Sequence, residues 1–555
     1  MNAPALAVDQ LSFTFAGRVA PTLEEISFSL EPGSWTVLAG RSGSGKSTLL
    51  RAAAGLIPHH SAGVMQGAVR LFGRDTRHCN PQELANLAGV VLQSPDDQIC
   101  TTTAVAEIAF GLENLALPPE EIGRRVDEAL DRLDMAERPK QSTQQLSGGQ
   151  KQRLALAAIM AMRPKLLMLD EPLSQLDAAS VAELLEELSR LRQTGLTILF
   201  IEHRLDEVLG YADRVLVIDQ GRLLDDVSVD QTDRLCASLA AAGLAPPETM
   251  QLAQAVGRKP VLSIDALCES LAPGEKASRT HENSDAAASS VPATGEGQTL
   301  LRVASLAVGF PRAAQPVFRE VSFALRAGER VAVAGPNGSG KSTLLAALAG
   351  LLKPNSGTIE TSGEKRPACA LVLQNPDLSL FCNSVREELS FGPRQMAADE
   401  AEIAARVSET AAHLDLSDML DEPPLALSQG QRLRVAVGAL LTLQPQLLLL
   451  DEPTTGQDQP LVARLLDAVA GPIAESQTQA LLFSTHDLRS LVRYADRVLV
   501  LSEGRLLADC TPEALLEDDA LLAAARLRRT PLFEVRRHLG LRGRTVAGLA
   551  EELRP

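Results

Sequence analysis

Short apolar runs that end at glycine or at acidic residues recur along this chain. Two of them, Trp35–Ala39 and Arg330–Ala334, lead into glycine-rich segments that are followed by Ser-Thr-Leu-Leu. Two others, Lys165–Leu169 and Gln446–Leu450, are each followed by a pair of acids. Such runs are typical of parallel strands buried on both faces, and Ser-Thr-Leu-Leu is predicted to begin a helix. The pattern predicts an α/β fold whose strands deliver polar groups to one edge of a sheet.

Each glycine-rich segment has the spacing of a phosphate-binding loop between a strand and a helix. Glycines let successive backbone N–H groups turn towards an anion at a helix N-terminus, and the lysine adds a positive charge. A glycine-rich turn without a ligand is disfavoured because both copies have this context. The candidate nucleotide-binding residues are Gly40, Ser42, Gly43, Gly45, Lys46, Ser47 and Thr48, and in the second copy Gly335, Asn337, Gly338, Gly340, Lys341, Ser342 and Thr343.

The paired acids at the strand ends are the candidate metal and catalytic residues. We expect Asp170 and Asp451 to hold the shell of a Mg²⁺ ion, together with the hydroxyls of Ser47 and Ser342. Glu171 and Glu452 are then placed to polarise the attacking water. Taken alone, an Asp-Glu pair is most simply the end of a strand; beside a phosphate-binding loop it predicts catalysis.

The spacing of these landmarks shows that the chain is a tandem repeat. Gln93 and Gln374, Ser147 and Ser428, and Asp170 and Asp451 are each 281 residues apart, whereas the two loop lysines are 295 apart. The first copy therefore has 14 additional residues between its phosphate loop and its glutamine. We predict that they form additional strand and loop between Gly55 and Val90.

Composition restricts the class of protein. The 555 residues carry a formal net charge of −17 with 45% hydrophobic and 3% aromatic residues, so globular cores must rest on Leu, Ala and Val. The negative charge argues against non-specific nucleic-acid binding. Seven dispersed cysteines without a C-x-x-C pair suit a reducing compartment. No run approaches the length of a membrane span and the first residues lack a secretion signal, so we expect a cytosolic protein.

The segments Leu146–Gln150 and Leu427–Gln431, which read LSGGQ and LSQGQ, resemble the signature of the ATP-binding cassette (ABC) ATPases. The resemblance covers about residues 5–235 and 300–515. It implies a helix whose N-terminal serine binds the γ-phosphate held by the other cassette, so that two cassettes enclose two ATP molecules head to tail with Mg²⁺. The implied signature contacts are Ser147, Gly149 and Gln150, and Ser428, Gly430 and Gln431.

The resemblance assigns further roles residue by residue. Gln93 and Gln374 resemble the glutamine that senses Mg²⁺ and water, and His203 and His486 resemble the switch histidine. Asp177 and Asp458 resemble the aspartate that couples the two sites. Phe15 and Phe310 take the place of the aromatic that stacks on adenine, although a core role for either stays open.

One departure from the family pattern is Gln429, which stands where the first copy has Gly148. If this position required a left-handed turn, glutamine would restrict it. We expect both sites to hydrolyse ATP, with the site of Lys46 and Ser428 the slower of the two.

Two stretches refine the resemblance. Gln93–Asn114 and Gln374–Pro393 resemble the glutamine-loop regions of energy-coupling factor (ECF) ATPases of bacterial vitamin and metal-ion importers. This implies a transmembrane coupling subunit, a small membrane substrate-binding subunit, peripheral association with the cytoplasmic face of the inner membrane, and a cargo such as a thiamine precursor, biotin, cobalt or nickel. A tandem sugar-importer ATPase and a ribosome-associated tandem ABC protein are the alternatives; an acidic segment between the cassettes argues against the latter.

We predict five segments along the chain: a first cassette (residues 1–237) with a helical tail (238–271), a flexible linker (272–298), a second cassette (299–515) and a helical C-terminal tail (516–555). The last tail is rich in arginine. A solvated helix face is the simplest interpretation, and contact with anionic lipid or an acidic partner is the alternative.

Overall fold

The structure is a computed structural model that describes residues 3–132, 142–174, 176–271, 298–309, 316–361, 368–454, 459–475 and 479–554. It divides into two compact units, Met1–Leu271 with Val535–Pro555, and Ala272–Glu534. The predicted linker, apart from Gln298, lies outside the described residues.

The strands of the first unit are β1 (Leu6–Phe15), β2 (Leu23–Leu30), β3 (Trp35–Ala39), β4 (Gly63–Leu71), β5 (Arg74–Asp75), β6 (Ala88–Val91), β7 (Leu166–Asp170), β8 (Thr197–Ile201), β9 (Arg214–Asp219) and β10 (Arg222–Ser228). Its helices are α1 (Lys46–Ala53), α2 (Pro81–Ala85), α3 (Ala104–Asn114), α4 (Pro119–Arg132), α5 (Gly148–Ala161), α6 (Ala178–Gln193), α7 (Leu205–Val208), α8 (Thr232–Ala241), α9 (Glu248–Ala255) and α10 (Ile264–Leu271).

These strands form two sheets. One is antiparallel in the order β2-β1-β4-β5, and the other has the order β10-β9-β3-β8-β7-β6. In the second sheet β6, β7, β8, β3 and β9 are parallel, and only β10 runs antiparallel. Every residue of β3, β7 and β8 is buried, as the continuous apolar runs predict. The carboxyl ends of these central strands therefore meet at one edge, where the candidate residues lie.

The extra residues of the first copy include elements that the sequence did not reveal in full. Between Gly55 and Val90 lie β4, the two-residue strand β5, a short 3₁₀ helix and α2. Pro81 opens α2, and the side chain of Asn80 accepts a hydrogen bond from the Glu83 N–H, which caps the helix. The predicted strand and loop are thus accompanied by a capped helical turn.

The second unit has β11 (Thr299–Val308), β12 (Phe318–Arg326), β13 (Arg330–Ala334), β14 (Ser356–Thr361), β15 (Cys369–Val372), β16 (Leu447–Leu450), β17 (Ala480–Ser484), β18 (Arg497–Ser502) and β19 (Arg505–Cys510). The helices from this unit to the end of the chain are α11 (Lys341–Leu348), α12 (Val385–Gln395), α13 (Glu400–His413), α14 (Gln429–Leu441), α15 (Gln459–Glu475), α16 (Leu488–Tyr494), α17 (Pro512–Glu517), α18 (Asp519–Ala524), α19 (Pro531–Leu539) and α20 (Val546–Leu553). The residues from Val535 onward, and with them α20, belong to the first unit.

The second unit repeats the architecture of the first. Its sheets have the orders β12-β11-β14 and β15-β16-β17-β13-β18-β19. The strands β15, β16, β17, β13 and β18 are parallel and β19 is antiparallel to β18. The predicted α/β fold, with mixed sheets and helices in two copies, is confirmed.

The residues after β19 form α17 to α20, and the last of these helices belongs to the first unit. Helix α20 packs against α9, and its Leu549 and Ala550 are buried. In the arginine-rich segment, Arg529 is not on a solvated face: it pairs with Asp519 at 2.5 Å and donates to the carbonyl oxygen of Leu516 at 2.7 Å. Among the described residues no helix combines the length and the apolar character needed to cross a membrane.

Candidate nucleotide-binding sites

Both glycine-rich segments connect a buried strand to a helix at the carboxyl edge of the parallel sheet. The first runs from β3 to α1 and the second from β13 to α11. A Cβ atom on Gly40 would lie 2.4 Å from the Ile218 carbonyl oxygen, and one on Gly335 would lie 1.9 Å from that of Leu501. Only glycine fits there, because any side chain would displace the neighbouring strand end.

The glycine before each lysine has a left-handed backbone, with φ of 101° at Gly45 and 103° at Gly340. These residues are also the N-caps of α1 and α11. The helix N–H groups at this turn have no side-chain cap, which leaves them available to an anion. Both loops therefore have the backbone geometry of a phosphate cradle.

Each loop lysine is folded back into its own loop. Lys46 Nζ donates to the carbonyl oxygens of Gly40 (2.8 Å) and Arg41 (2.9 Å), and Lys341 Nζ donates to those of Gly335 (2.9 Å) and Pro336 (3.2 Å). The ammonium groups thus lie inside the cradle. A terminal phosphate there would exchange neutral carbonyl partners for a charged one.

The first acid of each pair lies beside the loop serine. Burial raises the pKa of Asp170 to about 6, and the hydroxyl of Ser47 opposes this rise. In the second copy Ser342 Oγ donates to Asp451 Oδ1 at 3.0 Å, and burial likewise raises the pKa of Asp451.

These oxygens suit a Mg²⁺ ion. Oδ1 of Asp170 is buried and has no hydrogen-bond partner in the described part of the chain, which is the environment of a carboxylate that a hard cation would stabilise. Ser47 with Asp170, and Ser342 with Asp451, would hold the ion. There Mg²⁺ would neutralise charge on the terminal phosphates.

In the first cassette the structure brings the predicted catalytic residues together. Glu171 accepts a hydrogen bond at Oε2 from Gln93 Nε2 (2.7 Å), and its Oε1 lies 2.8 Å from His203 Nε2. Burial by itself would raise the pKa of Glu171, but the hydrogen bond and charge of His203 hold it below the ordinary value. The carboxylate is therefore kept ionised, as a group that polarises water must be.

In the second cassette the corresponding glutamate has different partners. Glu452 Oε2 lies 2.8 Å from His486 Nδ1, and its Oε1 lies 3.4 Å from Lys341 Nζ. Burial opposes ionisation here too, but His486 and Lys341 lower the pKa of Glu452 to about 2. Gln374, which the resemblance assigned to sensing Mg²⁺ and water, is an exposed residue after β15. The second set is thus assembled without its glutamine.

Two features of the candidate catalytic glutamates were not predicted from the sequence. Glu171 and Glu452 both have φ of 48°, a left-handed conformation that non-glycine residues adopt at a cost. Ser484 donates to Asp451 Oδ1 at 2.7 Å and accepts the Glu452 N–H at 2.8 Å, whereas the first copy has Ile201 at that place. The only sequence signal for the second feature is this Ser-for-Ile difference.

Both signature segments begin helices, as the resemblance implied. Ser147 and Ser428 are exposed N-caps of α5 and α14, and each forms a capping box with Gln150 or Gln431. Neither Gly148 nor Gln429 has a positive φ, because both lie in the first turn of a helix. The structure thus removes the reason for which Gln429 was expected to slow one site.

Two remaining predictions fall on described residues and two do not. Asp177 is buried and caps α6, since its Oδ1 accepts the Ser180 N–H at 2.9 Å. Phe15 is half-buried and contacts Phe13 edge to face, with ring centroids 4.8 Å apart. Phe310 and Asp458 lie outside the described residues, so their roles stay predictions.

Comparison with known proteins agrees with this geometry. The family model for the ABC transporter matches residues 23–174 and 318–455, one match in each cassette. The chain belongs to the ABC transporter family. A "Putative ABC transporter ATP-binding protein" of Methanosarcina mazei is 36% identical over 99% of this chain and 96% of its own length.

Two further proteins are similar to this chain. A "Putative HMP/thiamine import ATP-binding protein YkoD" of Bacillus subtilis is 36% identical over 95% of this chain and 96% of its own length. The solved structure of cbiO1 from Clostridium perfringens, described as part of the ABC transporter complex cbiONQ, matches 43% of this chain and 95% of its own chain with 28% identity and a TM-score of 0.38. This ABC protein is a tandem ATP-binding chain, and its cassettes are those of ATPases that couple ATP hydrolysis to transport.

Proposed function

We propose that this ABC protein is the ATP-hydrolysing subunit of a bacterial importer of the energy-coupling factor type, with a vitamin or metal ion as cargo. Thiamine precursor, biotin, cobalt and nickel are the cargo classes, and a thiamine precursor is favoured. The observation that carries the proposal is an apolar surface beside the glutamine loop of the second cassette.

This surface, which we call the glutamine-loop patch, consists of Leu378, Phe381, Phe391 and Met396. Their exposed fractions are 74%, 65%, 42% and 64%, which are high for large apolar side chains. Phe381 and Phe391 contact each other edge to face, with ring centroids 4.8 Å apart. A patch of aromatic anchors of this kind suits an apolar partner segment.

The patch lies next to groups that belong to the ATP site. Gln374 precedes Leu378, the first residue of the patch, by only a few residues. Glu388, which lies in α12, accepts hydrogen bonds from the backbone N–H groups of Phe381 and Cys382 at 3.0 and 2.8 Å. Glu388 is buried, so the segment that carries Phe381 is fixed to α12. Movement of a docked partner would therefore be transmitted to the glutamine loop.

The corresponding surface of the first cassette is less apolar. Phe110 stands at the place of Phe391 and is 47% exposed, but Cys100 and Asp97 replace Phe381 and Leu378. Glu107 accepts the backbone N–H groups of Cys100 and Thr101, so the local scaffold is shared. We propose that both surfaces receive short helices of one transmembrane coupling subunit, and that a separate small membrane protein binds the cargo.

The relative named for HMP/thiamine import supports the cargo class, because it aligns with nearly the full length of this chain. On this proposal the protein lies on the cytoplasmic face of the inner membrane. ATP held by Lys46 faces Ser428 and ATP held by Lys341 faces Ser147. Closing of this sandwich favours one partner conformation, and hydrolysis reopens it.

Co-purification from membranes tests the proposal. The tagged full-length protein, isolated from its own cells, is expected to bring a transmembrane coupling subunit and a small membrane protein that binds a vitamin or metal ion. Phe381→Glu should abolish that co-purification, whereas Leu507→Glu, which changes an exposed apolar residue of β19, should not. Recovery with ribosomes, or with sugar-importer membrane subunits, would contradict the proposal.

A further inference from the structure

The residues next to the two switch histidines differ in charge. His203 lies between Glu202 and Arg204, whereas His486 lies between Thr485 and Asp487. These neighbours are not among the motif residues of the cassettes. Nevertheless they determine how the backbone that carries each histidine is held.

Glu202 is a buried carboxylate, 4% exposed, that fixes the turn at His203. Its Oε1 accepts hydrogen bonds from the backbone N–H groups of His203 (2.8 Å) and Arg204 (3.0 Å). Burial raises the pKa of Glu202, and the positive charge of Arg204 opposes that rise. Its Oε2 is buried without a hydrogen-bond partner in the described part of the chain, so the ionised form depends on a nearby cation.

Arg204 supplies that cation and makes a second connection. Its guanidinium group donates to the carbonyl oxygen of Leu173, two residues after Glu171. His203 Nε2 lies 2.8 Å from Glu171 Oε1. The switch loop is therefore joined to the loop of the catalytic glutamate twice, once through the histidine and once through the arginine.

The second cassette forms the same turn with neutral groups. Thr485 Oγ1 accepts the Asp487 N–H at 2.9 Å and lies 3.3 Å from Thr454 Oγ1. Thr454 occupies the place of Leu173, and Asp487 caps its own helix by accepting the N–H groups of Arg489 and Ser490. The two loops are thus joined here by a hydroxyl pair.

We propose that Glu202 and Arg204 are positioning residues of the first ATP site. Glu202 fixes the backbone N–H groups of the switch loop, and Arg204 joins this loop to Leu173. Together they hold His203 against Glu171, a task that the Thr485 and Thr454 hydroxyls perform in the second site. The inference goes beyond the proposed function, because it concerns hydrolysis at one site and does not depend on the cargo or on the membrane partners.

The pair also gives the first site its own pH dependence. The charged groups that face Glu202 are Arg204 and His203 from its own loop and Glu171 from the end of β7. Because burial raises the pKa of Glu202, acidification protonates it at a higher pH than an ordinary carboxylate. Protonation removes the charge that pairs with Arg204, so first-site hydrolysis falls on the acid side.

The experiment exchanges the pairs in the full-length protein and measures kcat and KM for ATP. Arg204→Asp places a second carboxylate beside Glu202 and should lower kcat about tenfold, and Glu202→Thr should lower it less. The triple exchange L173T, E202T and R204D introduces the second-cassette residues at all three positions, including both hydroxyls of the Thr454–Thr485 pair. It should return kcat to within about twofold of the original. KM should stay unchanged, since the phosphate loop is not altered.

Glu202→Gln keeps an acceptor for the two N–H groups but cannot ionise, and it is a near-isosteric variant that should fold. Because position 202 is then uncharged at every pH, its kcat is expected to be lower than that of the unsubstituted protein near neutral pH and to fall less on the acid side, with an unaltered unfolding midpoint. Unchanged kcat in R204D, a triple exchange no better than R204D alone, or a Glu202→Gln profile that superposes on the original would each overturn the proposal.

Discussion

The two cassettes carry the same motifs but support their catalytic glutamates differently. Glu171 is held by a glutamine and a histidine, whereas Glu452 is held by a histidine and the loop lysine. The preceding aspartate also differs, because only Asp451 receives a hydrogen bond from the strand residue Ser484. Repetition of a motif therefore does not imply repetition of its environment.

Because the two catalytic glutamates have different partners, we expect the two ATP sites to respond unequally to the same substitution. In the first cassette the glutamine loop is already bonded to the catalytic carboxylate, so nucleotide chemistry and the partner-facing loop are joined. In the second, Gln374 is exposed, and Lys341, which lies inside its own loop, is also 3.4 Å from Glu452. The second site must exchange more contacts when ATP binds.

The largest expected effect comes from the catalytic glutamates. Glu171→Gln and Glu452→Gln should each lower steady-state ATP turnover about 100-fold or more, because each removes the carboxylate that polarises water. The double variant should retain two ATP molecules per chain in a closed form, measured by nucleotide retention after gel filtration. Glu186→Gln, an exposed acid of α6, is the control. Full turnover in either single variant would remove that residue from catalysis.

The signature serines give the next effect. Ser428→Ala and Ser147→Ala each remove one hydroxyl from a helix N-terminus and should lower turnover about 10-fold to 100-fold. In the double-glutamine background, Ser428→Ala should release the ATP bound by Lys46 and leave the other. Photo-crosslinked nucleotide mapped to each cassette measures this. Loss of the ATP bound by Lys341 instead would contradict the proposal that each signature serine completes the ATP site of the other cassette. Ser417→Ala, which changes another exposed serine of the second cassette, is the matched control.

Substitutions of Gln93 and Gln374 test the comparison of the two cassettes with a smaller expected effect. Gln93→Ala removes a charge-assisted hydrogen bond from Glu171 and should lower kcat about tenfold. Gln374→Ala removes no bond to Glu452 and should lower kcat by less than about threefold. Steady-state kinetics of the two single variants, each with a thermal unfolding control, provides the test. Equal effects would show that the two environments converge when ATP binds.

The smallest effect is on stability. Ser484→Ala leaves Asp451 and the Glu452 N–H without their shared hydroxyl and should lower the free energy of unfolding by about 1–2 kcal/mol. Ser502→Ala, which changes a buried serine at the end of β18, should cost less than about 0.5 kcal/mol. Denaturant titration distinguishes the two variants. Equal midpoints would mean that the hydrogen bonds of Ser484 do not add to the stability of the fold.

Much of each site was predictable because short-range sequence fixes its local chemistry. A strand, a glycine-rich turn and a lysine at the start of a helix form a phosphate cradle through backbone geometry alone, as Lys46 and Lys341 demonstrate. The resemblance of the LSGGQ-type segments implied helices that begin at a serine, and in the structure each serine is the N-cap of a capping box formed by residues three apart. Periodicity and apolar runs were sufficient for the α/β fold.

The features that were not predicted from the sequence depend on contacts between residues far apart in the chain. Ser484 contacts Asp451, Arg204 contacts the Leu173 carbonyl oxygen beside Glu171, and α20 packs on α9, although large separations divide these partners. The left-handed backbone of Glu171 and Glu452 is a further example, because glutamate has no local preference for it. Such features arise from how strand ends meet at the sheet edge.

The sequence by itself determined that this protein has two phosphate-binding cassettes with paired acids, because those motifs are local and occur twice. Only the tertiary structure decided which side chains hold each catalytic glutamate, and therefore that the two sites are unequal. The physical reason is that a hydrogen bond or an ion pair depends on distance in space, and folding brings different neighbours to Glu171 and Glu452.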